Sequence, residues 1–109
     1  MPDSANAAPR QPVLPLAGVL AAIASPTRWA ILREMADGRP FAVVELAERL
    51  RETPTGISKH MAVLRNSGIV DLGRNRCYSI SPAFLADKTK RIVDFGWCLL
   101  RLDTIRDKA

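Results

Sequence analysis

At 109 residues the chain holds material for one domain of ordinary size, which excludes a multidomain enzyme. With 48% hydrophobic and 25% charged residues it can bury a core, which excludes a chain disordered by composition. Sixteen Lys and Arg against eleven Asp and Glu leave a formal charge of +5, a balance that favours polyanionic partners.

Residues 1 to 13 are rich in proline, each of which removes a helical N–H, and they are expected to form a flexible arm ahead of a folded unit spanning 14 to 109. From Leu14 to Ala24 the spacing of Leu16, Val19, Leu20 and Ile23 predicts a short helix with almost no polar face, so both of its sides need cover. Ser25 followed by Pro26 is a cap and a favoured first helical residue, and Trp29, Leu32, Met35 and Ala36 form a stripe that Gly38 and Pro40 end. In VVELAERL, Val43, Leu46, Ala47 and Leu50 make a third apolar face, supported by a Glu45 to Arg49 pair one turn apart.

Thr53 and Pro54 repeat the cap-plus-proline start soon after Leu50, and Ile57, Met61 and Leu64 continue as an apolar face until Gly68. Two helices joined by so short a turn must cross steeply. The stretch IVDLGRNRCYSI, with Tyr78 and Ile80 two apart, predicts a small hairpin. After Pro82 the spacing of Ile92, Phe95, Leu99 and Leu102 predicts one long final helix. The expected fold is therefore mainly α with a small β-hairpin: a winged helix-turn-helix of about five helices plus the wing.

In that arrangement the second helix of the pair enters the major groove of DNA and the hairpin touches the backbone. The candidate DNA-binding residues are Thr53, Thr55, Gly56, Ser58, Lys59, His60 and Arg65 on the fourth helix, with Arg74, Asn75, Arg76 and Tyr78 in the hairpin. Small hydroxyls permit close approach, while the cations pair with phosphates or guanines. Between 53 and 80 the charges are Lys59, Arg65, Arg74 and Arg76 against Asp71, whereas residues 1 to 52 carry six of each sign.

The segments ASPTRWAIL, VVELAERL, TGISKHMAVLRNSGIV and GRNRCYSI, in this order over roughly residues 20 to 80, resemble the ArsR/SmtB family of bacterial transcriptional repressors. The resemblance implies a homodimer that binds double-stranded operator DNA and is released by a metal ion, a metalloid or another small effector. It also implies a dimer formed by the first and last helices, through Leu16, Val19, Leu20, Ile23, Ile92, Phe95, Leu99 and Leu102. Phe41 and Ala42 stand where the family often has a Ser or Thr cap, Arg51 replaces a turn glycine, and Gly56 replaces a polar side chain.

The family's sensing residues are missing. Glu45, Leu46, Ala47 and Glu48 occupy the segment of its soft-metal Cys-x-Cys site, the sole histidine is His60 on the reading helix, and of the dithiol pair only Cys98 has a counterpart. Neither a metal nor a cofactor is expected. A thiol- or metalloid-responsive repressor using Cys77 and Cys98 is the main rival, although Cys98 lies on an apolar stripe and reads as a small core residue. Trp29 and Trp97 either line a pocket or fill the core, core filling being the usual role. The basic run at 87 to 91 reads as a solvated face.

Two cysteines without a CxxC motif make a disulfide scaffold or structural zinc unexpected, and point to a reducing cytoplasm. No apolar run approaches the ~18 residues of a membrane span, so neither insertion nor export is expected. An enzyme is not expected either, because no nucleophile and base can be paired around the single histidine. The remaining alternative is a winged-helix protein-interaction module without DNA binding.

Overall fold

The computed structural model describes residues 14–104; the arm expected at 1 to 13 lies outside them. In chain order come α1 (Leu16–Ile23), α2 (Pro26–Met35), β1 (Phe41–Ala42), α3 (Val43–Leu50), α4 (Pro54–Asn66), β2 (Val70–Leu72), β3 (Cys77–Ile80), β4 (Leu85–Asp87), β5 (Ile92–Asp94) and β6 (Leu99–Arg101). A single 3-10 turn, Pro82–Phe84, separates β3 from β4, and another, Leu102–Thr104, follows β6.

The helix starts follow from their caps. Ser25 Oγ accepts the Arg28 N–H at 3.2 Å with Pro26 in the first turn, and Thr53 Oγ1 accepts the Gly56 N–H at 3.0 Å with Pro54 in the same position. At α3 the cap residue Ala42 has no side-chain acceptor, and Glu45 Oε1 instead takes the Ala42 N–H at 2.8 Å, one half of a capping box. Phe41 is buried in place of a polar cap neighbour, with the guanidinium groups of Arg39 and Arg49 at 5.1 and 5.0 Å from its ring centroid.

The first sheet has the order β1-β3-β2, with Phe41 opposite Tyr78 and Val70 opposite Ile80. The wing is thus the expected hairpin with a short third strand added in front of α3. Ile31, Leu32 and Met35 of α2, Leu46 of α3, and Ile57, Met61 and Leu64 of α4 close over Ile69 and Ile80 in one core.

The final helix is replaced by a second sheet, β4-β5-β6, with Val93 opposite Leu85 and Leu100 and with a register shift between Leu85 and Asp87. The helical spacing of Ile92, Phe95, Leu99 and Leu102 coincides with a shorter period. Val93 and Phe95 point inward, as do Leu100 and Leu102, while Leu99 and Arg101 face out, which is strand alternation. Between the two runs Gly96 takes φ +94 at the first central position of a turn closed by the Phe95 N–H to Cys98 carbonyl bond of 2.8 Å, and Asp94 Oδ1 accepts the Gly96 N–H at 2.8 Å. That turn ends any helix. Four α-helices are therefore present among the described residues, and no last helix is available for a dimer contact.

The second sheet joins the same core. Phe84 and Phe95 meet edge to face with centroids 5.7 Å apart, and Trp97 donates its indole N–H to the Leu14 carbonyl at 3.0 Å. Arg91, held at φ +54, donates from Nη1 to the Arg33 and Glu34 carbonyls at the C-terminal end of α2, where the helix has carbonyls without intrahelical partners. Beside it, partial burial works against the Asp37 carboxylate, but hydrogen bonds from Arg39 and the nearby Arg91 guanidinium hold its pKa below the ordinary carboxylate value. Val19, Ile23, Phe95 and Leu102 are covered within the chain, so the expected interface residues divide: these four are core, Ile92 is half-buried, and Leu16, Leu20 and Leu99 remain 55%, 48% and 53% exposed.

Helix α3 ends on Arg51, at φ 57 and ψ 44, with the Arg51 N–H bonded to the Glu48 carbonyl and the Glu52 N–H to the Ala47 carbonyl. This is the left-handed ending that a glycine adopts freely, as Gly68 does after α4. Arg51→Gly is expected to stabilise the domain by about 1 kcal/mol and to raise its melting temperature by roughly 4–8 °C; an unchanged or lower melting temperature would contradict this account of the turn.

Candidate nucleic-acid interface

Helix α4 is oriented by its buried face. Ile57, Met61 and Leu64 are fully covered, so Thr55, Ser58, Lys59, Ala62 and Arg65 fall on exposed faces of α4. Gly56 belongs to the cap: a Cβ there would come 3.0 Å from Thr53 Oγ1, tighter than an ordinary contact. Thr53, expected among the binding residues, has its hydroxyl oxygen engaged as the acceptor that starts α4.

The wing tip is a tight reversal. Asn75 at φ 58 and Arg76 at φ 57 are both left-handed, and the Cys77 N–H returns to the Arg74 carbonyl, which is how a two-residue turn matches the twist of the strands. The Gly73 N–H bonds to the Cys77 carbonyl at 2.8 Å just behind it. Arg74, Asn75 and Arg76 project at the exposed tip, and Tyr78 sits half-buried on β3.

Helix and wing share one cleft of about 420 Å³, whose lining includes Ser58 of α4, Val44 of α3, Leu72 of β2, and Asn75, Arg76 and Tyr78 of the wing. The structure thus brings Ser58 together with the wing residues. Val44, 63% exposed at the start of α3, and Leu72 add an apolar wall that the sequence reading missed; its signal was Val44 standing beside the apolar stripe of α3 without belonging to it. Lys59, Arg65, Arg74 and Arg76 are exposed and have no carboxylate partner among the described residues. The acid among them, Asp71, accepts a hydrogen bond from the Ser81 hydroxyl at 2.9 Å.

His60 departs from this face. It lies on the flank of α4 away from Ser58 and Arg65, and its Nδ1 is 3.1 Å from Nη1 of Arg28 on α2. Arg28 was not among the expected residues, and at 32 positions from His60 no local pattern joins the two. Cys77 and Cys98 are free thiols, each half-buried, the first on β3 and the second in the turn between β5 and β6. Among the described residues no group of three or more His, Cys, Asp and Glu side chains is gathered as metal ligands would be.

Residues 23–73 match a family described as a helix-turn-helix domain, a span running from the end of α1 through β2. Over 74 residues the chain is 35% identical to the HTH-type transcriptional regulator NmtR of Mycobacterium tuberculosis, a match covering 65% of this chain and 61% of that protein. Among solved structures, HlyU from Vibrio cholerae N16961 superposes with a TM-score of 0.57 at 28% identity, covering 69% of this chain and 82% of that one.

Because Thr53 caps α4, Thr53→Ala should cost about 1 kcal/mol of stability, while Thr53→Ser should leave stability nearly unchanged. Thermal denaturation of the two variants checks this; equal stabilities would mean that the hydroxyl is not the cap.

Proposed function

We propose that this winged helix-turn-helix chain is a transcriptional regulator of the ArsR/SmtB type that binds double-stranded DNA sequence-specifically, with α4 in the major groove and the wing tip on the phosphate backbone, a reading supported by its likeness to NmtR and HlyU. The observation that carries this reading is the single cleft at which Ser58 of α4 meets Asn75, Arg76 and Tyr78 of the wing, flanked by exposed cations. An α-helix fits the major groove, and Arg, Lys and Ser supply the donors that phosphates and guanine edges accept.

The matched region spans about three-fifths of NmtR. The chain works as a repressor in the cytoplasm, leaving its operator when a small effector binds, and residues 14 to 109 form the working unit behind the N-terminal arm. It acts as a two-fold dimer, which matches a palindromic operator. The support for a dimer is the outer side of α1, where Leu16 and Leu20, one turn apart, keep about half their surface. Among the described residues, no helix is long and apolar enough to cross a membrane.

If a dimer makes 6 to 10 phosphate contacts, its affinity for duplex DNA should fall ~10³- to 10⁵-fold between about 50 and 200 mM salt. Arg74→Ala and Arg76→Ala should weaken all duplexes about equally, whereas Ser58→Ala and Lys59→Ala should also change which duplex is preferred. A flat salt response in a gel shift would overturn DNA binding in favour of a protein-interaction module. In sedimentation, Leu16→Asp combined with Leu20→Asp should give monomers; an unchanged dimer mass would mean that the contact is made elsewhere.

A further inference from the structure

The second sheet has two edges, β4 and β6. The register of β6 on β5 fixes which of its backbone groups are used inside the chain. The Leu102 N–H bonds to the Arg91 carbonyl at 2.9 Å and the Phe95 N–H to the Cys98 carbonyl at 2.8 Å, with Leu100 opposite Val93 between them. Residues 98, 100 and 102 therefore turn their backbone groups toward β5. In an antiparallel pair such residues alternate with others whose groups point the opposite way, so Leu99, opposite Asp94, directs its N–H and C=O to the open edge. Neither group makes a hydrogen bond among the described residues, and the side chain is 53% exposed.

The other three sheet edges are blunted against further pairing. β1 has two residues and runs directly into α3, β2 carries Asp71 at its centre, and β4 has the register shift and ends on Asp87. At Leu99 the edge of β6 has none of these devices, and the one charge on the strand, Arg101, is drawn to Asp103 at 3.3 Å. A strand of this kind fits a second copy of itself without any further requirement, because antiparallel strands about a two-fold axis exchange the same bonds reciprocally. The edge also lies beside the side of α1 that keeps Leu16 and Leu20 exposed: the Trp97 bond to the Leu14 carbonyl draws the turn ahead of β6 to the segment ahead of α1.

We propose that β6 pairs antiparallel with the β6 of a second copy, Leu99 opposite the partner subunit's Leu99, so that the second sheets of two chains join edge to edge. Each Leu99 N–H donates to the carbonyl of the partner subunit's Leu99, and the two leucine side chains, neighbours on one face of the joined sheet, cover each other. This rests on the two-fold dimer proposed above and gives it a contact beside that of α1.

Hydrogen exchange of the ¹⁵N-labelled full chain, at concentrations either side of dimer dissociation in sedimentation, tests the pairing. The Leu99 amide should slow by about tenfold or more as the dimer forms, while the Leu100 amide, bonded within the chain, stays protected throughout. Leu99→Pro removes a donor that the chain itself does not use, and should raise the dimer dissociation constant at least ~10-fold with Leu100 still protected. Leu99→Thr, which keeps the N–H, should still pair. If Leu99→Pro loses the protection at Leu100 and so the sheet, the wild-type exchange decides alone. Fast exchange at Leu99 in a chain that sediments as a dimer would overturn the edge pairing and leave the contact to α1. Protection at Leu99 that does not change with concentration would mean that the same chain covers the edge, which also overturns it. A monomer at every concentration would overturn the dimer and the edge pairing together, while salt-dependent duplex binding in a gel shift would still decide the DNA-binding half of the proposed function.

Discussion

The ends of α2 organise the molecule. A helix of ten residues leaves about eight of its roughly twenty backbone groups without intrahelical partners, and each must be met by a side chain, a neighbouring segment or water. Ser25 meets the first turn of α2, and Arg91, from the loop between β4 and β5, meets the last. From its first turn, Arg28 and Trp29 reach back to satisfy the end of α1, while Ile31, Leu32 and Met35 fill the core beneath. The two sheets and α4 are thereby referred to one short rod. Burial alone orders such pieces loosely, because apolar contact has no direction; hydrogen bonds at helix ends supply the direction.

Charge reinforces the same frame away from the candidate interface. Arg49 pairs with Glu34 at 3.0 Å across α2 and α3, and also lies over the Phe41 ring, as does Arg39. These cations are engaged in holding the helices, whereas those of α4 and the wing face solvent. Both sets are arginine-rich, and net charge cannot separate them. What separates them is the partner: a carboxylate or a ring at one side of the molecule, open surface at the other.

The parts of the fold that were legible in the sequence are those with a local cause. Ser25-Pro26 and Thr53-Pro54 mark helix starts because cap and proline act within one turn, and the stripe Ile57, Met61, Leu64 fixes which side of α4 faces out. The second sheet was misread because four apolar residues fit a helical period by coincidence. The alternation of Val93 with Phe95 and of Leu100 with Leu102, broken by Gly96, was the better signal. At the candidate site, the exposed residues of α4 and the wing tip followed from periodicity and turn chemistry. The engagement of Thr53 in its cap and of His60 with Arg28 did not: the first depends on cap geometry and the second on a contact between distant segments that only packing creates.

The hydrogen bond from Trp97 to the Leu14 carbonyl joins residues 83 positions apart. Translation proceeds at about 5–20 residues per second, so Leu14 leaves the ribosome several seconds before its partner is made. During that interval the turn that carries Trp97 is missing, although α1, α2, α3 and α4 can already assemble around local contacts. The helix-turn-helix, with α1 held to α2 through Arg28 and Trp29, is therefore expected to be the early-forming unit of the nascent chain, and the second sheet a late addition that Trp97 fastens to the segment ahead of α1. Loop-closure entropy makes the same ordering natural on refolding from denaturant, where the longest-range contact is the last to be rewarded.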